Sequence, residues 1–551
     1  MKAIAEEAQH QLVDASFFKQ HTVNSLRRKS DYWLGKQGRL AQPMIKRSGD
    51  ARYQPIEWKK AFQIIGSELK ALSHPDEAVF YTSGRTSNEA AFLYQLFVRK
   101  FGTNNLPDCS NMCHESSGVA LTETLGIGKG SVTLDDFEKA EVILIFGQNP
   151  GTNHPRMLGS LEKAKAKGAK IVSINPLKEV GLVKFKNPQN LQGWMTGGSE
   201  ITDLYLQVKI NQDVALLKCW LKLLLENESS LDKEFIQDKT SGFVELKKDL
   251  SSYALDQLIE QTGLSRSDII TSAKWLKESN KIIACWAMGL TQHVNAVDNI
   301  REIVNLLLLK GSIGKPGAGT CPVRGHSNVQ GDRTMGIWER PTKEWTDKLK
   351  DAFGFEPPTS PGYNVVEAIE AMNQEKVRFF MAMGGNLLSA APDTPVTEQA
   401  LQNCDLTVHV STKLNRSHLA PGQTSLILPC LGRTDKHMHQ DKEQQITVEN
   451  SMGVVHTSMG TLTPPSKQLM SEPAIVASIA AETLGNKDID WSGLVEDYDR
   501  IRDLIAKAIA GFEDYNKKLK VANGFELPNG ARIGEFNTPS KKALFTVNKL
   551  P

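Results

Sequence analysis

The sequence predicts an α/β protein with mostly parallel sheets. Three observations carry the prediction. Short, wholly apolar runs of strand length recur along the chain. Most end in turns rich in Gly, Asn, Ser or Thr, and segments of helical character separate them. So many units fill two sheets more comfortably than one.

Ala78–Tyr81 (AVFY) is the first sharp strand. Thr82-Ser83-Gly84-Arg85 turns, and Thr86 or Ser87 caps a helix over Asn88–Lys100. Val142–Phe146 (VILIF) reads as a buried strand, Gly147–Asn153 as a turn-rich loop, and His154–Lys167 as a helix. Ile171–Ile174 follows, ending in Asn175-Pro176. Strand, helix and strand make a βαβ unit, whose right-handed crossover lays the two strands parallel. Lys281–Met288 (KIIACWAM) runs into Gly289 and a helix over Val294–Lys310. Glu356–Tyr363 (EPPTSPGY) reads as a surface connection, and Val377–Met383 runs into Gly384-Gly385-Asn386. Leu406–Val410 and Ser425–Leu428, closed by Pro429, add shorter strands. In open α/β sheets ligands sit outside the carboxyl ends of the strands, where these loops fall.

Composition narrows the function classes. Among 551 residues, 65 Lys and Arg against 63 Asp and Glu leave a net charge of +2, so no nucleic-acid partner is expected. A 40% hydrophobic content and a mean hydropathy of −0.33 describe an ordinary globular chain. The longest apolar runs, such as Ile303–Leu309, fall far short of the roughly 20 residues of a membrane span. The amino-terminal stretch over residues 1–18 is acidic and amphipathic and shows no apolar signal core. Seven cysteines, an odd number, suit a reducing compartment, and a cytoplasmic location is expected.

Three segments carry chemistry. Gly147–Pro155 (GQNPGTNHP) is either a phosphate cradle or a tight turn; it fits neither G-x-G-x-x-G nor a P-loop. Cys109-Ser110-Asn111-Met112-Cys113-His114 has no second cysteine pair at finger spacing. It holds either two buried cysteines or one thiolate on a soft metal with a histidine beside it for proton transfer. Gly311–Met335 carries six glycines, too many for a helix or an ordinary strand, and offers Arg324, His326, Asn328 and Gln330. It reads as a loop for an anionic or polar ligand, or as an idle surface loop.

Thr320–Gly336 (TCPVRGHSNVQGDRTMG) resembles the P-V-R-G-x-x-N-V-Q-G segment of molybdopterin oxidoreductases of the dimethyl-sulfoxide-reductase superfamily, in the formate-dehydrogenase-like branch. Gly38–Lys46, Cys113-His114, Gly147–Pro155, Met288–Val294 and Met383–Asn386 fall in that family's order, and the match spans essentially the whole chain. Val448–Gly460 resembles the formate-dehydrogenase-like alpha-subunit subgroup.

The resemblance implies two related doubly wound, mostly parallel sheet domains plus a discontinuous mixed α+β domain. The first cofactor domain would be 76–112 with 325–424, the second 113–324, and the discontinuous one 1–75 with 425–551. Gln423–His437 would return the chain to that third domain, with Tyr53–Leu72 touching the region after residue 430 and Cys430 in the core. The implied cofactors are molybdenum and two molybdopterin guanine dinucleotides. By position Cys113 would be the metal ligand, His114 the proton acceptor and Arg324 the holder of the substrate anion. The cofactor-binding residues would be Ser83, Gly84, Arg85, Gly147, Asn149, Asn153, His154, Asn175, Gly289, Gln292, Gly325, Gly384, Gly385, Asn386, Ser411 and Lys413. Thr82–Thr86, Gly147–His154, Gly289–Gln292 and Asn175-Pro176 are expected on one side of a cleft, with Met383–Asn386 and Ser411–Lys413 opposite.

The implied activity is a two-electron conversion of a small anion, such as formate to carbon dioxide, with an electron-transfer partner that the sequence does not name. The family's [4Fe–4S] cluster needs closely spaced cysteines near the amino end, and no cysteine precedes Cys109. Gly534–Phe545 resembles the start of the family's pterin-capping domain. The expectation is therefore a chain lacking both flanking segments, either a fragment of a larger catalytic subunit or a truncated, non-catalytic scaffold that binds cofactor weakly or not at all.

Overall fold

The structure, a computed structural model, describes residues 8–9, 11–187 and 197–551, so the amphipathic amino-terminal stretch lies partly outside the described residues. The chain forms two compact units. One comprises residues through 112, 326–450 and 454–527; the other comprises 113–325, 451–453 and 528–551.

The first unit holds a six-stranded sheet in the order Gln54–Pro55, Met44–Arg47, Thr424–Pro429, Leu406–Ser411, Phe379–Met383, Ala78–Thr82. The last four strands run parallel, and Met44–Arg47 joins antiparallel. Successive side chains point to opposite faces, and both faces are covered. Phe80, Met381, Val408 and Leu426 enter one core, and Val79, Phe380 and Ala382 enter another. Burial on both faces is why these strands read as unbroken apolar runs. Ser87 caps the Asn88–Phe101 helix by accepting from Ala90 N–H, and Gly102 ends it in the left-handed region. The Trp58–Ala71 helix packs against Glu472–Leu484; Trp58 Nε1 donates to Gln468 O at 2.9 Å and Lys70 Nζ to Glu482 O at 2.6 Å. The contacts expected between Tyr53–Leu72 and the region past 430 are thus present, and Cys430 is buried in the core.

The second unit holds an all-parallel five-stranded sheet in the order Leu204–Leu206, Lys170–Ile174, Val142–Phe146, Ile282–Trp286, Gly319–Pro322. Val142, Leu144 and Phe146 face a core shared with the Asp213–Leu225 and Ala296–Leu309 helices. Ile143 and Ile145 face another, with Leu158 and Leu161 of the Pro155–Ala166 helix. Residues 528–551, expected with the amino-terminal segments, belong here; Ala543–Leu544 pairs in parallel with Thr240–Ser241.

Two local readings are corrected. Gly311–Met335 is not an irregular surface loop: it contains the Gly319–Pro322 strand and the Val329–Thr334 helix, both largely buried. Gly319 makes the strand possible, with φ +143° and no room for a Cβ, which would lie 2.3 Å from Ser131 Oγ. Within Gly147–Asn153, Pro150–Asn153 is a single helical turn, with Pro150 at its first position and Asn149 Oδ1 accepting from Thr152 N–H. Among the described residues no helix is long and apolar enough to cross a membrane.

Candidate active site

Parallel strands end at one edge of their sheet, so their carboxyl-terminal loops are neighbours whatever their separation in sequence. In the second unit Phe146 is in register with Trp286 and Ile174, and Trp286 with Pro322. The loops beyond them interlock. Gly147 N–H donates to Ile174 O at 2.9 Å, Gly289 N–H to Gly147 O at 3.0 Å, and Val323 N–H to Trp286 O at 2.9 Å. This edge gathers Gly147, Asn149, Asn153, His154, Asn175, Gly289, Gln292, Arg324 and Gly325. Asn149 Nδ2 donates to Glu179 Oε2 at 2.6 Å and Asn175 Nδ2 to Leu177 O at 2.7 Å. Gln292 N–H closes the Met288–Thr291 turn, and Asn153 is exposed. His154 Nε2 donates to Arg324 O at 2.9 Å, while its Nδ1 is buried without a hydrogen-bond partner.

Cys113 and His114 stand just before the Glu115–Leu125 helix. Cys113 is 6% exposed, with Sγ 3.7 Å from Met288 Sδ, and its carbonyl accepts from Thr291 Oγ1 at 2.6 Å. His114 is 1% exposed, and both ring nitrogens are engaged. Nε2 lies 3.2 Å from Val323 O and Nδ1 3.0 Å from Ser117 Oγ, which also accepts from Trp286 Nε1 at 2.9 Å. A carbonyl oxygen only accepts, so Nε2 carries the proton and Nδ1 accepts from Ser117. Burial, then the Arg324 charge, pushes the imidazole down to about 3; the bond to Val323 opposes this. The ring expected to accept the proton is therefore held neutral. Arg324 is 8% exposed. Its Nη2 donates to Gly128 O at 3.1 Å and its N–H to Ser451 Oγ at 3.4 Å.

The first unit presents a second edge of this kind. Ser83 N–H donates to Met383 O at 3.1 Å and Gly384 N–H to Val410 O at 2.9 Å. Gly384 and Gly385 adopt positive φ beside Ser83; a Cβ on Gly384 would lie 2.7 Å from Ser83 Oγ, an atom that is buried without a partner. Asn386 Oδ1 accepts from Ser417 N–H at 3.3 Å, Asn415 Nδ2 donates to Gly385 O at 2.9 Å, and Ser411 Oγ lies 3.1 Å from His418 Nε2. Lys413 forms an antiparallel bridge with Arg39. Gly84 accepts from Asn328 N–H at 3.0 Å, and Arg85 is exposed, its carbonyl accepting from Arg433 Nη2 at 2.9 Å.

The structure corrects the grouping of these loops. Thr82–Thr86 belongs with Met383–Asn386 and Ser411–Lys413, because Ala78–Thr82 pairs along its length with Phe379–Met383. Sequence reasoning missed Ser117, Trp286 and Met288. A serine one helical turn after His114 is the one local signal that could have found Ser117.

A family model described as molybdopterin oxidoreductase matches residues 39–419. An uncharacterized oxidoreductase of Mycobacterium tuberculosis is 52% identical over 556 aligned positions, covering 100% of this chain and 71% of its own length. The alpha subunit of an F420-dependent formate dehydrogenase of Methanocaldococcus jannaschii is 30% identical over 404, covering 71% of this chain and 56% of its own. Among solved structures, acetylene hydratase from Pelobacter acetylenicus superposes with a TM-score of 0.69 at 19% identity, covering 95% of this chain and 70% of that one; this likeness is one of fold.

Proposed function

The chain belongs to the molybdopterin oxidoreductase family, and we propose that it catalyses a molybdenum-dependent, formate-dehydrogenase-like two-electron conversion of a small anion, with formate oxidised to carbon dioxide. Family membership implies molybdenum and molybdopterin. The observation that carries the proposal is the gathering of Cys113, His114 and Arg324 at one strand edge of the second unit. The similarity to a formate dehydrogenase alpha subunit supports the choice of substrate.

The residues present fit the cofactor. Cys113 offers a soft thiolate of the kind molybdenum accepts. Ser83 Oγ, Gln148 Oε1 and His154 Nδ1 are buried polar atoms without partners, at loops where glycines bring the backbone close. In this reading one dinucleotide is held by Gly147, Asn149, Asn153, His154, Asn175, Gly289, Gln292 and Gly325. The other is held by Ser83, Gly84, Arg85, Gly384, Gly385, Asn386, Ser411 and Lys413. The corresponding domain map keeps 113–324 as one cofactor domain and 76–112 with 325–424 as the other.

When bound, the molybdenum–pterin group supplies the two-electron acceptor. The chain's own residues do the rest. Arg324 pairs with the carboxylate and fixes its orientation. The bound anion offsets the Arg324 charge, the second of the causes, after burial, that hold His114 neutral. Ser117 and Trp286 keep that ring in one orientation.

The test is molybdenum and pterin analysis of the purified chain, with formate oxidation followed by an artificial electron acceptor. Both should co-purify with the wild type, and Cys113→Ala should abolish turnover. A chain that carries neither metal nor pterin is instead the non-catalytic scaffold.

A further inference from the structure

Cys109 takes no part in the reading above, and its surroundings differ from those of five other cysteines. Cys219, Cys285, Cys321, Cys404 and Cys430 lie inside apolar clusters. Burial pushes the Cys219 and Cys404 thiols up to about 12 and raises Cys285 and Cys430 as well. Cys109 stands outside these clusters, with Sγ 3.3 Å from His326 Nδ1. Cys109 is 7% exposed against 2% or less for the five core cysteines, and His326 is half-buried beside the exposed Ser327. Burial and the Arg85 charge lower the His326 imidazole, leaving a neutral ring able to accept the thiol proton. Of the other charged and titratable groups nearby, Tyr81 lies on the adjoining strand, and Asp108 is paired with Arg333 at 2.8 Å. On the Gly84 side the sulfur is tightly packed: a Cβ on Gly84 would lie 2.6 Å from Sγ.

We propose that Cys109 and His326 form a nucleophile–base pair. It makes Cys109 the residue that hydrogen peroxide or a small electrophile modifies ahead of the core thiols, and the modification displaces the Ser83–Arg85 loop. With peroxide, the sulfur donates an electron pair to one oxygen. The S–O bond forms as the O–O bond breaks; sulfur is oxidised by two electrons and peroxide reduced by two. The thiol proton passes through His326 to the departing hydroxide, giving a sulfenic acid and water. The added oxygen then competes with Gly84 for space. This goes beyond the proposed oxidoreductase activity and is read without it.

The test is a short exposure of the purified full chain to iodoacetamide across a pH series, with each cysteine followed by peptide mass spectrometry. Cys109 should react at least ten-fold faster than each of the five core cysteines across the series. His326→Gln should remove that lead. In parallel, peroxide treatment should speed tryptic cleavage after Arg85 in the wild type but not in Cys109→Ser. A Cys109 rate equal to those of the core thiols, an unchanged rate in a folded His326→Gln, or cleavage indifferent to peroxide each overturns the proposal. If His326→Gln does not fold, the wild-type rates decide: a Cys109 lead of less than ten-fold over the core thiols overturns it.

Discussion

Gly147 and Gly289 meet backbone to backbone. Gly289 N–H donates to Gly147 O at 3.0 Å, and a Cβ built on Gly289 would lie 2.6 Å from the Gly147 main chain. Two strand-end loops thereby approach more closely than any side chain permits. Gly289→Ala must push them apart, at a cost of about 1–3 kcal/mol, typical of overpacking. Melting temperature should fall, and molybdenum content with it. Gly159→Ala is the control. Gly159 lies within the Pro155–Ala166 helix with nothing near its Cβ position, so alanine there should be neutral or stabilising by up to about 1 kcal/mol.

Ser117 links Trp286 Nε1 to His114 Nδ1. Ser117→Ala leaves a buried donor and a buried acceptor without partners, a loss of about 1–3 kcal/mol. Ser117→Gly removes the same hydroxyl and should cost at least as much. Equal melting temperatures for Ser117→Ala and wild type would refute the linkage.

His114 also sets an acid limit. Its folded value, about 3, lies below the ordinary 6.5, so the folded state binds that proton less readily than the unfolded chain does. The contribution to stability is present above pH 6.5 and is lost as pH falls from 6.5 toward 3, by up to about 1.4 kcal/mol per pH unit for one group. His114→Gln should flatten the fall in melting temperature over that window. It should not abolish it, because His409 and His418 are lowered by burial too.

Much of the fold is legible because the central strands are buried on both faces. Val142–Phe146 and Phe379–Met383 announce themselves as continuous apolar runs, and Ser87 marks its helix start by capping chemistry. What escapes is what distant chain decides. Nothing near Ala78–Thr82 says that its partner is Phe379–Met383, and the assignment of the Thr82–Thr86 loop depends on that pairing. Gly319–Pro322 defies strand propensity; it is tolerated as the last strand in its sheet, where Pro322 removes no interior ladder bond. In the candidate site, the adjacency of Cys113 and His114 is visible in sequence, and Arg324 enters through motif order. The charge state of His114 is not visible, since burial, and then the distant Arg324, set it against the opposing bond to Val323.

A buried ion pair in the first unit gives a test independent of the cofactor. Arg502 Nη1 donates to Glu89 Oε1 at 2.8 Å, both side chains being almost fully buried, and Thr447 donates to Glu89 from its N–H and hydroxyl at 2.9 Å. Removing Arg502 strands the buried Glu89 carboxylate, so Arg502→Met should cost about 3–5 kcal/mol; Glu89→Ala should cost less, because Arg502 keeps its pair with Asp499, and the double variant should cost less than the sum of the singles. Strict additivity in denaturant titrations would show the pair to be uncoupled.

Arg324 separates substrate binding from scaffolding. Its Nη2 is tethered to Gly128 O, its carbonyl accepts from His154, and its charge depresses His114. If it pairs with the substrate carboxylate, Arg324→Gln removes a charge-assisted bond of about 1.5–3 kcal/mol, and KM for formate should rise roughly ten- to hundred-fold. Arg324→Lys keeps the charge but loses the two-pronged geometry, so it should recover part of that loss. The same Gln variant takes away a positive charge that lowers His114. The ring should then protonate at higher pH, so the acid fall in stability still begins near pH 6.5 but ends at a higher pH and is smaller in total than in the wild type. A purely structural Arg324 predicts another pattern: a lower melting temperature in Arg324→Gln with KM unchanged. Measuring KM, kcat and the acid limb of stability on the same preparations decides between them.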